Sequence, residues 1–522
     1  MNGQLYPTTA NEPKVHPLIR NSFAFVPSAG MRLAPEVLVL ELFREIFFTK
    51  HYESTATKEI DPDELNDSRA PSYSIGEQAV FYALRGRRKK TKSSRVQRFF
   101  APAYPILARG GWIGKNRERV INNFFLGGPI AQYLWCRGPD VKEKQHEQEE
   151  IIELMGKALV GHNSVVSGSY RGKEILSVAL RNVAYNLDLD LAKKNLEEKT
   201  GYRPVIRIDR DELSTRIFRD TKFICGLERD LPRMQWLHLL MTFLRFSLPI
   251  WLLAQMRITS FLHEWLLDAM DQGCIASSQD IEHRIVNRNR GLLHPTLTPK
   301  REVFDRIEQY MKNRVELNIL LYCLEKIRPN EISNKSLDVR MKSSDKLSIE
   351  SLLHLARGAS GDLKATDRFK QVALGLDVRR FLVREGELFA AWRNPLLKGQ
   401  GKNIDEFIRV LYRAELGDEE GGYLLIPEGR GTSRGFRVFP GQLLLKTITY
   451  LAAEEKYSNG RTGGSGKLVL EDVENHFQQY GIDFSSAADA RPLMIQEMQA
   501  MGLLMGSPDA GASVAVKNPY RG

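Results

Sequence analysis

The stretch "WLHLLMTFLRFSLPIWLLAQM", residues 236–256, decides what kind of chain this is. It is about long enough to cross the hydrocarbon core of a bilayer. Two residues argue against that use. Arg245, near its centre, would cost roughly 3 kcal/mol to insert, and Pro249 stands close to it. The stretch reads instead as a pair of helices buried in protein, within a helical segment covering 233–270.

Outward from that core, apolar residues at helical spacing predict further helices over 33–48, 74–88, 147–159, 174–186, 301–327, 349–357, 369–392 and 403–414. Strand signals are short and sparse, chiefly "PVIRID" (204–209) and "GYLLIP" (422–427). The expected fold class is therefore mainly α. A chain of 522 residues is too long for one ordinary core. The polar stretch 328–348 and the turn-rich "EGRGTSRG" (428–435) supply boundaries. The expected organisation is an N-terminal helical region (1–145), a central helical domain (146–330), a second helical domain (331–435) and a last compact unit (436–522).

Four widely separated cysteines, Cys136, Cys225, Cys274 and Cys323, form no C-x-x-C pair, so neither a zinc site nor a disulfide framework is indicated. The first twenty residues lack the basic start and apolar core of a secretory signal. The expectation is a cytoplasmic protein with no membrane partner, no metal and no cofactor.

The last unit has the clearest pattern. "FPGQLLLKTITYLAAEE" (439–455) reads as a helix opened by Pro. "KLVL" (467–470) is a short strand, "EDVENHFQQYG" (471–481) a helix closed by Gly, and "ADARPLMIQEMQAMG" (488–502) another closed the same way. "LLM" and "SVAVKNPY" then flank the turn "GSPDAGA" as two strands. This order, helix, strand, helix, helix, hairpin, resembles the winged helix-turn-helix of prokaryotic DNA-binding proteins. The resemblance implies a recognition helix over 488–501 and a wing tip at 506–511. Arg491 would read bases there, and flanking cations such as Lys467 and Lys517 would take phosphates. The recognition helix also carries Glu497, and the wing tip holds Asp509 and no cation.

Charge is concentrated elsewhere. The formal excess is +11. Between Glu77 and Glu118 the chain has no acid and eleven cations: Arg85, Arg87, Arg88, Lys89, Lys90, Lys92, Arg95, Arg98, Arg109, Lys115 and Arg117. One window thus equals the whole net charge, which makes it a local anion-binding surface rather than a solubility device. Tyr82, Phe99, Phe100, Tyr104 and Trp112 are interleaved with those cations and could stack on exposed bases. The expected ligand is DNA held by its backbone, with RNA as the alternative.

Enzyme signals are weaker. "GSYRGKE" (168–174) and "GRTGGSGKL" (460–468) fail the spacing or the following helix that a phosphate loop requires, and read as loops. "RIDRDELSTRIFRD" (207–220) clusters Asp209, Asp211 and Glu212 among cations and reads as a surface ion-pair network. "NRNRGLLHP" (287–295) carries Arg288, Asn289 and His294 in an R-N-x4-H pattern. That pattern resembles the motif of HEPN ribonucleases, and the resemblance implies metal-free RNA cleavage by the His and Arg. Set against it, Pro295 follows the His directly, and a capping or packing role competes.

The sequence thus points to a non-catalytic DNA-binding subunit that works with other protein subunits. A helical body with a basic arm and a terminal winged helix is similar to accessory proteins of phage-defence or DNA-modification systems. The alternatives are a ribonuclease centred on Arg288 and His294, and a protein-docking scaffold.

Overall fold

The computed structural model describes residues 211–227, 230–295, 346–364, 408–413, 421–428, 435–460, 467–484, 490–505 and 514–520, with short pieces at 16–20, 134, 206, 208, 336–338 and between 309 and 325. The basic window 78–117 and the helices expected over 33–48, 74–88, 147–159, 174–186 and 369–392 lie outside the described residues. What is described is mainly helical.

Helix α1 (Glu212–Gly226) was not expected from the sequence. Asp211 starts it: its carboxylate accepts from the Ser214 N–H at 3.0 Å and from the Ser214 hydroxyl at 2.6 Å. Helix α2 (Arg233–Asp271) is a single helix of 39 residues with Pro249 in its interior, not the expected pair. Proline removes one backbone hydrogen bond, but burial of the helix on nearly all sides outweighs that loss. Of its most apolar window 89% is buried within the protein, so this helix, long and apolar enough to cross a membrane, is a core element here. Helix α3 (Ser278–Val286) follows, its Asp280 N–H capped by the Ser277 hydroxyl.

Arg245 is 4% exposed. Its guanidinium donates to the carbonyl oxygens of Val410 and Tyr412. That fastens a second segment to the middle of α2. Of the helix expected over 403–414 only 408–413 are described: Ile408 is helical, Arg409–Leu411 form a 3-10 turn, and Tyr412 then pairs with Leu425. Arg245 takes carbonyls that a continuing helix would use for itself.

Residues 336–338 and 346–348 form a parallel pair, β1 (Ser336–Asp338) and β2 (Lys346–Ser348), within the stretch read as a polar boundary. Helix α4 (Ile349–Lys364) follows directly and packs on α2. Strands β3 (Leu425–Glu428) and β4 (Gly435–Val438) pair antiparallel across the boundary drawn at 435. Of the strand expected over 204–209, only Ile206 and Ile208 are described, and neither pairs.

The last unit comprises α5 (Gln442–Gly460), α6 (Leu470–Gln479), α7 (Ala490–Ala500), β5 (Leu504–Met505) and β6 (Ala515–Val516). Helix α5 lies against α1 and α2, and Phe246 of α2 meets Phe477 and Tyr480 of the α6 region edge-on or tilted. A second joint forms at Gly481, whose carbonyl accepts from Leu292 N–H at 2.8 Å and Leu293 N–H at 3.1 Å. Gly481 has φ +85, and a Cβ there would overlap the Asn289 carbonyl and lie 2.8 Å from Leu292 Cβ.

Two outcomes are expected. Arg245→Met leaves two buried carbonyls without their donor, at about 1 to 3 kcal/mol each. It should lower the urea midpoint and expose the 408–413 segment to protease. Gly481→Ala should lose several kcal/mol from strain and overlap together, on the order of the larger single-substitution effects, with faster hydrogen exchange at 289–293 as the local readout.

Candidate nucleic-acid interface

Each helix of the terminal unit has a local reason to begin and end where it does. The Gly421 carbonyl accepts from the Leu443 and Leu444 N–H groups in the first turn of α5. Asp472 accepts from the Val469 N–H at 2.8 Å, which fixes the start of α6. Gly502, at φ +68, follows α7 and turns the chain into β5.

The extended segment before α6 joins the hairpin. Val469 pairs antiparallel with Ala515, Val516 N–H donates to the Leu468 carbonyl at 2.8 Å, and Leu470 N–H donates to Val514 at 3.0 Å. On the other side β6 pairs with β5, and Lys517 N–H donates to the Leu503 carbonyl at 2.7 Å. β6 is therefore the middle of three extended segments.

That register sets Lys467 directly opposite Lys517. Leu468 and Val516, the pair between, are buried, whereas both lysines are exposed. Opposed residues on one sheet face have their Cβ atoms about 4.5 to 5.5 Å apart, and like charges so placed repel. Among the described residues neither lysine has a carboxylate in ion-pair range. Nearby, Lys456 is committed: its ammonium donates to the Lys467 carbonyl and pairs with Asp472 at 2.5 Å.

Arg491 is placed differently from the expected base reader. Its guanidinium grips Glu474 of α6 through two hydrogen bonds, at 2.5 and 3.2 Å. Glu497 accepts from Gln442 at 3.1 Å. The exposed positions of α7 are Pro492, Gln496, Gln499 and Ala500, none of them charged. Residues 436–522 hold eight Lys and Arg against nine Asp and Glu, a near-neutral unit.

The R-N-x4-H residues do not converge on an open surface. Arg288 is 1% exposed and pairs with Asp211 at 2.5 Å. Burial pushes the Asp211 carboxyl up, but the Arg288 charge and the Ser214 bonds outweigh it and hold it below the ordinary range. Asn289 donates to the Gln479 carbonyl, and Arg257 binds the carbonyls of Arg288 and Arg290. His294 is exposed. Asp211, expected in a surface network, is in fact a buried cap. This segment is a joint between α1, α2 and α6.

Asp220, Glu455 and His476 also meet in one buried cluster. They are separated by up to 256 residues in the chain and share no local pattern. Among the described residues no group of three or more His, Cys, Asp or Glu could hold a metal ion. Comparison of the chain with protein-family models, curated proteins and solved structures finds no match.

Arg288→Ala should cost about 3 to 5 kcal/mol, because it strands the buried Asp211 carboxylate. His294→Ala should change stability by no more than about 0.5 kcal/mol. Urea unfolding distinguishes the two. RNA incubated with the wild type in EDTA should show no cleavage that His294→Ala removes.

Proposed function

We propose that this protein binds DNA through the phosphate backbone, as a non-catalytic cytoplasmic subunit of a prokaryotic multi-protein system of the phage-defence kind. Its terminal unit acts as a winged helix-turn-helix, with α6 and α7 as the helix pair and β5 and β6 as the wing strands. The observation that carries this reading is the opposed pair Lys467 and Lys517. Two exposed ammonium groups facing each other across a strand pair are a net repulsion in the free protein, and a phosphate between them turns it into attraction.

The mode of binding follows from the charge distribution. A near-neutral terminal unit has little long-range pull on a polyanion, so attraction falls to the eleven cations between residues 78 and 117. The lysine pair then fixes position. Arg491, held by Glu474, is not free for a guanine edge, so binding is largely indifferent to sequence.

A second reading, that the unit docks a protein subunit, is favoured by the uncharged exposed positions of α7 and by Met505, which is 52% exposed beside it.

Binding of duplex DNA over a salt gradient separates the two. Lys467→Gln with Lys517→Gln should weaken binding to all sequences alike and reduce the slope of log K against log salt by about 2, since each phosphate contact contributes roughly 0.9. Arg491→Ala should leave sequence discrimination unchanged. An unaltered slope in the double variant refutes the lysine site and leaves the protein-docking reading.

A further inference from the structure

Where the terminal unit meets α1, a histidine is enclosed by charge. His476, on α6, is 1% exposed. Its Nε2 lies 3.0 Å from Asp220 Oδ2 of α1, and its Nδ1 lies 3.1 Å from Glu455 Oε2 of α5. Ionised carboxylate oxygens only accept hydrogen bonds, so satisfying both contacts requires a proton on each ring nitrogen. A neutral imidazole has one N–H and would turn a lone pair on the other carboxylate.

The remaining charged and titratable groups of the cluster come from the same three helices. From α1, Arg216 pairs with Glu455 at 2.9 Å, and Arg219 pairs with Glu455 at 3.0 Å while its Nε lies 3.6 Å from Asp220. From the end of α6, the Tyr480 hydroxyl donates to Asp220 at 2.7 Å. Helix α2 contributes Phe243 and Phe246 against the Tyr480 ring. Glu455 has two arginines besides the histidine. Asp220, completely buried, has His476 as its closest cation.

We propose that the His476 imidazolium is a buried charge pin that fastens α6, and with it the terminal unit, to α1, and that alkaline pH withdraws it. Loss of the proton removes the positive charge beside Asp220 and turns a ring lone pair on one of the two carboxylates, in a site closed off from solvent. Burial alone would disfavour the charged imidazole. The Asp220 charge and the hydrogen bonds to Asp220 and Glu455 outweigh both burial and repulsion from Arg216, so the folded protein holds the proton more tightly than the ordinary value of 6.5. In Glu455 the same contacts overcome burial and lower the carboxyl to about 2, so it remains ionised throughout. A histidine whose folded-state pKa is raised stabilises fully below its unfolded value, and the contribution fades as pH rises through the folded value. The joint is therefore tightest below about pH 6.5 and weakens as pH rises above it. This stands whether or not the unit binds nucleic acid.

The test uses the full chain. The gap in urea midpoint between wild type and His476→Gln should be widest at about pH 5 to 6 and close steadily as pH rises above about 6.5. In the wild type alone, hydrogen exchange of residues 470–480, corrected for intrinsic rate, should gain opening over the same range more than α2 does. Nitrogen-15 histidine spectra over a pH series should show one ring that keeps a proton on both nitrogens to higher pH than the ordinary histidines do. If the glutamine variant fails to fold, the exchange and spectra still decide. A gap independent of pH, or no ring that keeps its second proton beyond the ordinary histidines, overturns the pin.

Discussion

Arg245 donates its guanidinium to two carbonyls of the 408–412 segment from the middle of the most apolar helix in the described chain. A helix so uniformly apolar must be covered on every side, and any charge it carries must find acceptors inside the protein. Arg245 meets part of that demand with the backbone oxygens of Val410 and Tyr412, which are geometrically exacting acceptors. Around this anchor, α4 and α5 close over α2, and Gly422 comes so near Thr242 and Arg245 that a side chain there would collide.

The other joints of the structure are charged and buried. Asp211 with Arg288, and Asp220 and Glu455 with His476, each link elements distant in the chain. Such pairs contribute little net stability compared with apolar packing of equal volume, because desolvation offsets their attraction. They do penalise misalignment strongly, since a displaced partner strands a buried charge. In this protein the apolar core supplies cohesion, and these joints set the register in which α1, α5 and α6 meet.

That distinction bears on function. Cations engaged in joints, such as Arg491 with Glu474 and Lys456 with Asp472, are unavailable to an outside ligand, whereas Lys467 and Lys517 have no such engagement among the described residues. A simple count of lysines and arginines in the terminal unit would treat them alike. The proposed interface is defined by which cations the fold leaves over.

Periodicity in the sequence already determined most of the helices described here. It placed α2, α4, α5, α6 and α7 to within a few residues, and α4 runs beyond its expected end. The closing glycines at 481 and 502 were also legible, because a positive φ after a helix has a strong local preference for glycine. Continuity of α2 through Pro249 was not legible, since the packing that overrides a missing backbone bond comes from elements far away in the chain. The same holds for α1, whose opening acids and bases read as a surface network until Arg288 and Ser214 close around Asp211. For the candidate site, the sequence assigned Arg491 to base edges and Lys467 and Lys517 to phosphates. Only the strand register set the two lysines against each other, and only the tertiary placement of α7 brought Arg491 to Glu474, because the free or paired state of a charge is a property of its neighbours in space and not of its place in the chain.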